Sequence, residues 1–548
     1  LMWSYDGRTV ATPTFLLGTG PAGNLVSTVT DLGRFLGFLF SGGRGRGGKA
    51  IVKAETLRSM AEPQLGQKGE SPSFGLGFAL SKLDDHVRLG HTGAVYGFAS
   101  DLEALPDEKL GAIVITTVDC ANGIARRVAE SALRLMLQAR KHQPLPDLET
   151  TTAVSLETAR ALDGHYESGD RAVDLSERGG KLLLSPVNGA LRVAVRALGD
   201  ALIVDDRLAY GPRLATKENQ IGLGSDWLLR QPPVKPAPCP PRWDGLIGEY
   251  GWDHDVLYIL EKEGRLHALI EWFFEYPLKE EGPDRFRFPD SGLYADEPVI
   301  FTRDGNGRAT HVDAASVVFR RRPLDGENGK TFRITPARNV ETIRAEVKSA
   351  QPPAETGRSR SPDLVELIKL EPTIRLDIRY ATSNNFLGTP LYPSDRALLQ
   401  RPAAEALVRV HRALAEKGYG LLIHDAYRPW QVTKLFWEAT PAASRIFVAD
   451  PSQGSKHNRG AAVDLTLFDR STGHAVAMVG GYDEFSPRSN PDYPGARSLE
   501  RWQRDLLRKA MEREGFTVNE VEWWHFDYRD WDKYPIMNVP FEAATGEK

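Results

Sequence analysis

Two cysteines, Cys120 and Cys239, are all the thiol that this 548-residue chain contains. So few, so far apart, they exclude a disulfide scaffold and a cysteine-rich zinc site. Long apolar runs are also missing: "FLGFLF" (35–40) falls far short of the ~20 residues that span a bilayer. Nor is there a charge excess of one sign. The formal net charge of −4 gives no footing for nucleic acid, and "RRR" (320–322) and "GRSRS" (357–361) read as solvated surface and linker. The opening "LMWSYDGRTV" lacks an initiator methionine, a charged n-region and an apolar h-region. It reads as a fragment whose upstream part, with any export signal, is missing. What is present is ordinary for a globular chain, 41% hydrophobic and 26% charged, and the length suggests three or four domains.

Two proline-rich stretches divide it. "QPPVKPAPCPPR" (231–242) reads as an extended spacer, and "SAQPPAETGRSRSP" (349–362) as a polar linker. Ahead of them, "PAGNLVSTVTDLGRFLGFLFSGG" (21–43) predicts a helix capped by Thr28 or Thr30, with Leu32, Phe35, Leu36 and Leu39 on one face. "GHTGAVYGFASDLEALPDEKLGAIVITTVD" (90–119) predicts two strands around a "PDEK" turn. These residues resemble the back half of the serine β-lactamase and penicillin-binding-protein fold, with His91-Thr92-Gly93 where that family carries its lysine-threonine-glycine triad. No Ser-x-x-Lys and no Tyr-x-Asn precede the triad, so residues 1–145 are expected to be a truncated α/β segment without catalytic power.

The middle of the chain reads as β-rich and duplicated, over 155–231 and 243–322. "LDGHYESGDRAVDLSERGGKLLLSP" and "LIGEYGWDHDVLYILEKEGRLHALI" start alike, about 84 residues apart, and each continues in strands and Gly turns. Two small antiparallel barrels or sandwiches are predicted, resembling the lipocalin-like appendages that follow β-lactamase-like domains. His254, His267 and His311 show no ligand spacing, and no chemistry is assigned to these modules.

From 363 onward the pattern becomes α+β. "AAEALVRVHRALAEKG" (403–418) is an amphipathic helix ended by Gly418, "YGLLIHDAYRPW" (419–430) a strand entering a turn, and "SLERWQRDLLRKAMEREG" (498–515) a helix with Trp502, Leu506 and Met511 inward. In "GSKHNRGAAVDLTLFD" (454–469), Val463, Leu465 and Leu467 alternate with Asp464, Thr466 and Phe468 at strand period. Asp464 then faces away from the apolar set. His457 sits in a loop between Gly454 and Gly460 that can fold back over the same face. A loop histidine and a strand aspartate are two ligands of types zinc prefers. "EVEWWHFDY" (520–528) supplies a third ligand and a base, because Glu522 stands three residues before His525. In a regular strand those two would face apart, so "EWWH" must bend.

Residues 363–542 resemble the VanX-type D-alanyl-D-alanine dipeptidases of the zinc DD-peptidase superfamily. The resemblance runs through "DIRYATSNNFLG" (377–388), "DAYRPW" (425–430), "SKHNRGAAVDLTL" (455–467), "YDEFS" (482–486) and "EWWHFDY" (522–528). It implies one Zn²⁺ per chain held by His457, Asp464 and His525, with Glu522 as catalytic base and Arg428 beside the scissile carbonyl. It also implies Asp483 for the substrate's free ammonium, and contacts from Ser455 and Tyr380. The residues alone leave Arg428 open as a salt-bridge partner of Asp425, Asp483 as a turn residue, and Trp523 and Trp524 as core; His411, His424 and His474 receive no role. The implied substrate is a small dipeptide or a peptidoglycan-derived peptide. The alternatives are a zinc DD-carboxypeptidase or endopeptidase, or a full-length serine hydrolase with an accessory peptidase domain. Fusion to β-lactamase-like sequence associates the chain with chemistry outside the cytoplasm, the cytoplasm being the other compartment.

Overall fold

The computed structural model describes residues 1–548 apart from 1, 4–8, 13–19, 66–72, 146, 170, 187–191, 271–273, 325, 327–328, 357–358 and 545–548. Two residues of the expected "GRSRS" linker, 357 and 358, therefore lie outside the described residues. The chain forms two compact units. One comprises Leu1–Val234 with Asp253–Asp255 and Glu271–Glu275, and the other Lys235–Trp252, Val256–Ile270 and Tyr276–Lys548.

In the first unit, the helix Val29–Phe40 starts at Thr28, whose hydroxyl accepts from the Asp31 amide. Its apolar face is narrower than the spacing predicted: Leu36 is buried, but Phe35 is 39% exposed. The stretch 90–119 makes three strands rather than two. His86–Val95, Phe98–Leu105 and Leu110–Thr116 follow one another in a five-stranded antiparallel sheet. The missed turn is Tyr96-Gly97, where Gly97 takes φ 81° and closes a tight hairpin that the β-branched flanks obscure. The helix Asn122–Arg140 buries Ala129, Leu133 and Leu137 in a core with Leu83, Leu105 and Ala112. After it, eight antiparallel strands from Gly164–Ser168 to Asp226–Gln231 close into a barrel. Alternate residues such as Val173, Leu175, Leu182, Val195 and Leu228 fill it.

The described strands between Gly248 and Arg320 form a four-stranded and a five-stranded sheet, and Tyr250, Leu257, Phe286 and Val299 of the second unit share one core. The entry to these strands repeats a constellation from the barrel, with the tyrosine, glutamate and carbonyls at an offset of 84 residues and the arginine at one of 91. Tyr166 donates to the Leu162 carbonyl and Tyr250 to that of Leu246. Arg230 donates to the carbonyls of Ala161 and Asp163, and Arg321 to those of Gly245 and Ile247. Glu177 and Glu261 each accept from a glycine amide three residues on.

The remaining fold carries a five-stranded sheet in the order Arg375–Leu376, Tyr419–Asp425, Ala462–Asp469, His525–Tyr528, Phe516–Val518. The first pair is parallel and the rest antiparallel. The helix Arg401–Ala415 buries Ala403, Leu407, Val410 and Leu414 beside it. The helix Ser498–Arg513 turns inward along a different stripe from the one expected, with Gln503, Leu507 and Met511 buried and Trp502 and Leu506 only half-buried. Ala462–Phe468 are all buried, so both faces of the central strand are covered. No helix among the described residues is long and apolar enough to cross a membrane.

Candidate metal centre

Three neighbouring segments meet at one buried point. Ala462–Asp469 and His525–Tyr528 pair with Asp464 opposite His525, which places the two side chains on the same face. His457 opens a single 3₁₀ turn, His457–Arg459, that ends at Gly460 with φ 64°. That left-handed residue reverses the chain into the strand and brings the imidazole over Asp464. Asn458 locks the turn: its oxygen accepts from the Ser455 amide, and its amide donates to the Arg428 carbonyl and the Thr433 hydroxyl.

The distances are those of a ligand triangle. Asp464 Oδ1 lies 3.2 Å from His457 Nε2 and 3.0 Å from His525 Nδ1, and the two ring nitrogens are 3.1 Å apart. A tetrahedral zinc with ligands ~2.0–2.1 Å away separates them by about 3.3 Å. The outer hydrogen bonds assign the tautomers. His457 Nδ1–H donates to the Ala426 carbonyl at 2.6 Å, and His525 Nε2–H to Asp527 Oδ1 at 2.9 Å. Each ring then turns a lone pair toward the shared point, the arrangement of metal-bound imidazoles. Asp464 Oδ1 is fully buried and has no hydrogen-bond partner, while Oδ2 accepts from the Tyr482 hydroxyl at 3.0 Å. Three buried electron-rich atoms at this spacing fit a divalent cation.

Glu522 lies beside the triangle, its Oε2 3.7 Å from His525 Nδ1. It belongs to the bend before the strand, so "EWWH" is irregular as the spacing demanded. Burial pushes its carboxyl up to about 7, the range of a base working near neutrality. Arg428 is buried and held by Asp425, with Nε 2.8 Å and Nη2 2.7 Å from Asp425 Oδ2. The salt bridge that the residues alone left open therefore exists, and Nη2 also stands 3.5 Å from Asp464 Oδ2. Tyr392 completes the support by donating to Asp425 Oδ1.

Asp483, at φ 56°, accepts the Tyr380 hydroxyl on both oxygens, at 3.0 and 2.9 Å. Burial, with the nearby charges of Asp464 and Glu522, holds its carboxyl well above the usual range. A carboxylate so placed gains from an incoming cation. Ser455 Oγ accepts from the His457 amide, which makes it a brace of the turn. Trp523 and Trp524 are buried. His411 accepts from the Leu421 amide inside the core, and His424 stacks against Tyr482.

Sequence reasoning passed over Asp527, Tyr482 and Lys456. Asp527 was within reach, because residues two apart in a strand share a face and "HFD" sets it beside His525. Lys456, which donates to Asp527 Oδ2 at 2.6 Å, comes from another loop and left no local signal.

With this geometry in hand, residues 360–541 match the family model described as D-ala-D-ala dipeptidase, and residues 2–134 that described as β-lactamase. The D-alanyl-D-alanine dipeptidase of Escherichia coli (strain K12) is 35% identical over 185 residues, covering 34% of this chain and 94% of that protein. The enzyme of the same description from Enterococcus faecium is 35% identical over 189 residues, covering 31% and 92%. Among solved structures, the octameric penicillin-binding protein homologue from Pyrococcus abyssi matches at 18% identity and TM-score 0.21, over 37% of this chain and 47% of that one. That likeness is too slight to build on.

Proposed function

The chain belongs to the D-alanyl-D-alanine dipeptidase family, and from that premise we propose that its C-terminal fold hydrolyses the D-alanyl-D-alanine dipeptide with one zinc ion held by His457, Asp464 and His525. The observation that carries this reading is the triangle of Nε2, Oδ1 and Nδ1 atoms 3.0–3.2 Å apart, with both imidazoles oriented by acceptors behind them. A zinc ion held by His457, Asp464 and His525 would supply a Lewis acid for the carbonyl and would acidify the attacking water.

The chain's own residues do the rest. Glu522 takes the proton of the attacking water and returns it to the leaving amine, which its raised pKa suits. Arg428, fixed by Asp425, offers a permanent cation to the oxyanion that forms on the scissile carbonyl. Asp483, steadied by Tyr380, binds the substrate ammonium and so selects peptides with a free amino end. Asp527 and the Ala426 carbonyl keep both imidazoles in the required tautomer, and Tyr482 keeps Asp464 turned inward. Asp483 favours a dipeptidase over a carboxypeptidase, because the penultimate residue of a longer peptide carries no free ammonium.

The test uses the full chain. Zinc content is measured together with alanine release from D-Ala-D-Ala, L-Ala-L-Ala and a pentapeptide ending in D-Ala-D-Ala, with Glu522→Ala as control. One zinc per chain and cleavage of D-Ala-D-Ala alone are expected. Pentapeptide cleavage moves the assignment to a carboxypeptidase, and a chain that binds no zinc overturns the reading.

A further inference from the structure

Tyr482 and Asp483 are presented by a long loop, 477–497, that links the strand Ala462–Asp469 to the helix Ser498–Arg513. On its inner side Tyr482 reaches Asp464 and Asp483 meets Tyr380. Phe485 of the loop packs against Phe332, Phe386 and Phe447. On another side the loop walls a cavity of about 800 Å³ together with Arg303, Gly307 and Arg321 of the β-rich module. Where the cavity leaves the packing incomplete, polar clamps hold the loop.

Those clamps come from the module at 243–322. Tyr493 Oη donates to Glu249 Oε1 at 2.9 Å, and Glu249 is 1% exposed. Arg322 Nε is 3.3 Å from the other oxygen of Glu249. Nearer the helix, the Glu261 amide donates to the Ala496 carbonyl, and Glu261 Oε2 accepts the Ser498 amide at 2.8 Å. A carboxylate at the first turn of Ser498–Arg513 also complements the helix dipole. Toward the active site, Arg488 Nε lies 3.2 Å from Glu484 Oε1, and Glu484 accepts the Gly481 amide. Glu484 is the neighbour of Asp483. The bonded path thus runs from Glu249 through Tyr493 and the loop to the residues flanking Tyr482 and Asp483.

We propose that Glu249 and its partner Tyr493 are positioning residues for dipeptide recognition, so that the β-rich module is a working part of the peptidase rather than an appendage. The inference rests on the reading that Asp483 binds the substrate ammonium. Loosening the clamp lets Asp483 drift from the amino end of the dipeptide. Glu522, Arg428 and the metal ligands lie on other segments; the loop also bonds to two of these, through Tyr482 to Asp464 and through the Ser489 carbonyl to the Trp523 amide. Asp483 rides on the loop itself, so the larger loss falls on KM.

The experiment uses the full chain carrying Tyr493→Phe, Glu249→Leu or Glu249→Gln. KM and kcat for D-Ala-D-Ala, zinc content, and hydrogen exchange across 477–497 are measured for each. Tyr493→Phe and Glu249→Leu are expected to raise KM roughly 10- to 150-fold, the effect of one buried hydrogen bond to a charged group, with kcat within about twofold and zinc retained. Exchange across the loop rises with them. Glu249→Gln, which still accepts from Tyr493, restores most of the KM. Unchanged KM and unchanged exchange in folded Tyr493→Phe overturn the proposal, as does an equal fall in kcat. Should Glu249→Leu fail to fold, Tyr493→Phe, which removes one oxygen, decides. A wild-type chain that cleaves no dipeptide defeats the dipeptidase reading instead, and the exchange data still report whether the clamp holds the loop.

Discussion

Replacing Asp527 by asparagine perturbs the metal centre at a residue that is neither ligand nor substrate contact. Asp527 satisfies two donors with two oxygens: Oδ1 takes His525 Nε2–H at 2.9 Å and Oδ2 takes Lys456 Nζ at 2.6 Å. Asparagine offers one oxygen and one NH₂ group, whereas an ammonium can only donate. If the amide oxygen turns to Lys456, the NH₂ faces Nε2 and drives the ring proton to Nδ1, the atom that faces Asp464 and His457. If the oxygen turns to His525, the Lys456 ammonium meets the NH₂ group. Either way one charge-assisted hydrogen bond is lost, worth about 1.5–3 kcal/mol, or roughly 10- to 150-fold in affinity. The Trp531 ring, 5.1 Å from Lys456 Nζ, supports the lysine in the second arrangement and sets the lower end of that range. The span overlaps the 10- to 100-fold typical of partners behind a metal ligand. Zinc affinity is read by competition with a chromophoric chelator at fixed pH, and circular dichroism confirms that the variant folds. Wild-type affinity in a folded variant would refute the assignment of His525 Nδ1 as the ligand atom.

Other perturbations separate the remaining roles. Glu522→Gln is expected to lower kcat about 10²- to 10⁴-fold with zinc retained; a rate near wild type in a zinc-loaded sample removes Glu522 as base. Asp483→Asn should raise KM for D-Ala-D-Ala and leave weak turnover of its N-acetyl form unchanged, and equal effects on both would deny the ammonium contact. In the first unit, burial lifts Asp101 to about 6 and Glu103 to about 7, above their ordinary 3.8 and 4.5. The folded state then binds their protons more tightly than the unfolded chain. Their contribution to stability is full below about pH 4 and lost as pH rises through 6 and 7. Denaturant melts at pH 4.5 and 8 should show this loss, and Glu103→Gln should flatten it. Thr28→Ala, which deletes the cap on Val29–Phe40, should cost about 1 kcal/mol in melts of the same unit.

The cluster of His457, Asp464 and His525 was legible because the chemistry of metal binding leaves few choices. Only histidine, aspartate, glutamate and cysteine serve zinc, the chain has little cysteine, and strand period fixed which way Asp464 points. The bend at Glu522 followed from the same period, since two residues three apart cannot share a strand face. Tyr482 stayed hidden because its partner, Asp464, meets it through the fold; "DAYR" shows the ion pair of Asp425 and Arg428 but not that it flanks the His457, Asp464 and His525 cluster. The hairpin at Tyr96-Gly97 was missed because one glycine between β-rich flanks reads as strand interior. The stripe of Ser498–Arg513 shifted because Arg504 and Arg508 are buried there through bonds to Tyr493 and Glu512, which apolar periodicity does not see.

The likeness of the two openings, 84 residues apart, has a physical content that a substitution can probe. A Cβ on Gly164 would stand 2.6 Å from Arg230 Nε, and one on Gly248 would stand 2.5 Å from Arg321 Nη2. Arginine ends are flexible in general. These two are fastened to main-chain carbonyls on either side, those of Ala161 and Asp163 in one copy and of Gly245 and Ile247 in the other. Alanine at either glycine therefore displaces a guanidinium that its carbonyls need, and each lesion should cost about 1–3 kcal/mol. Adding Arg230→Ala to Gly164→Ala, or Arg321→Ala to Gly248→Ala, should cost less than the sum of the singles, because the same bonds are lost twice. Urea melts of the full chain resolve both cycles. Alanine tolerated freely at one glycine and costly at the other would mean that the two modules share a sequence opening but not the arginine latch behind it.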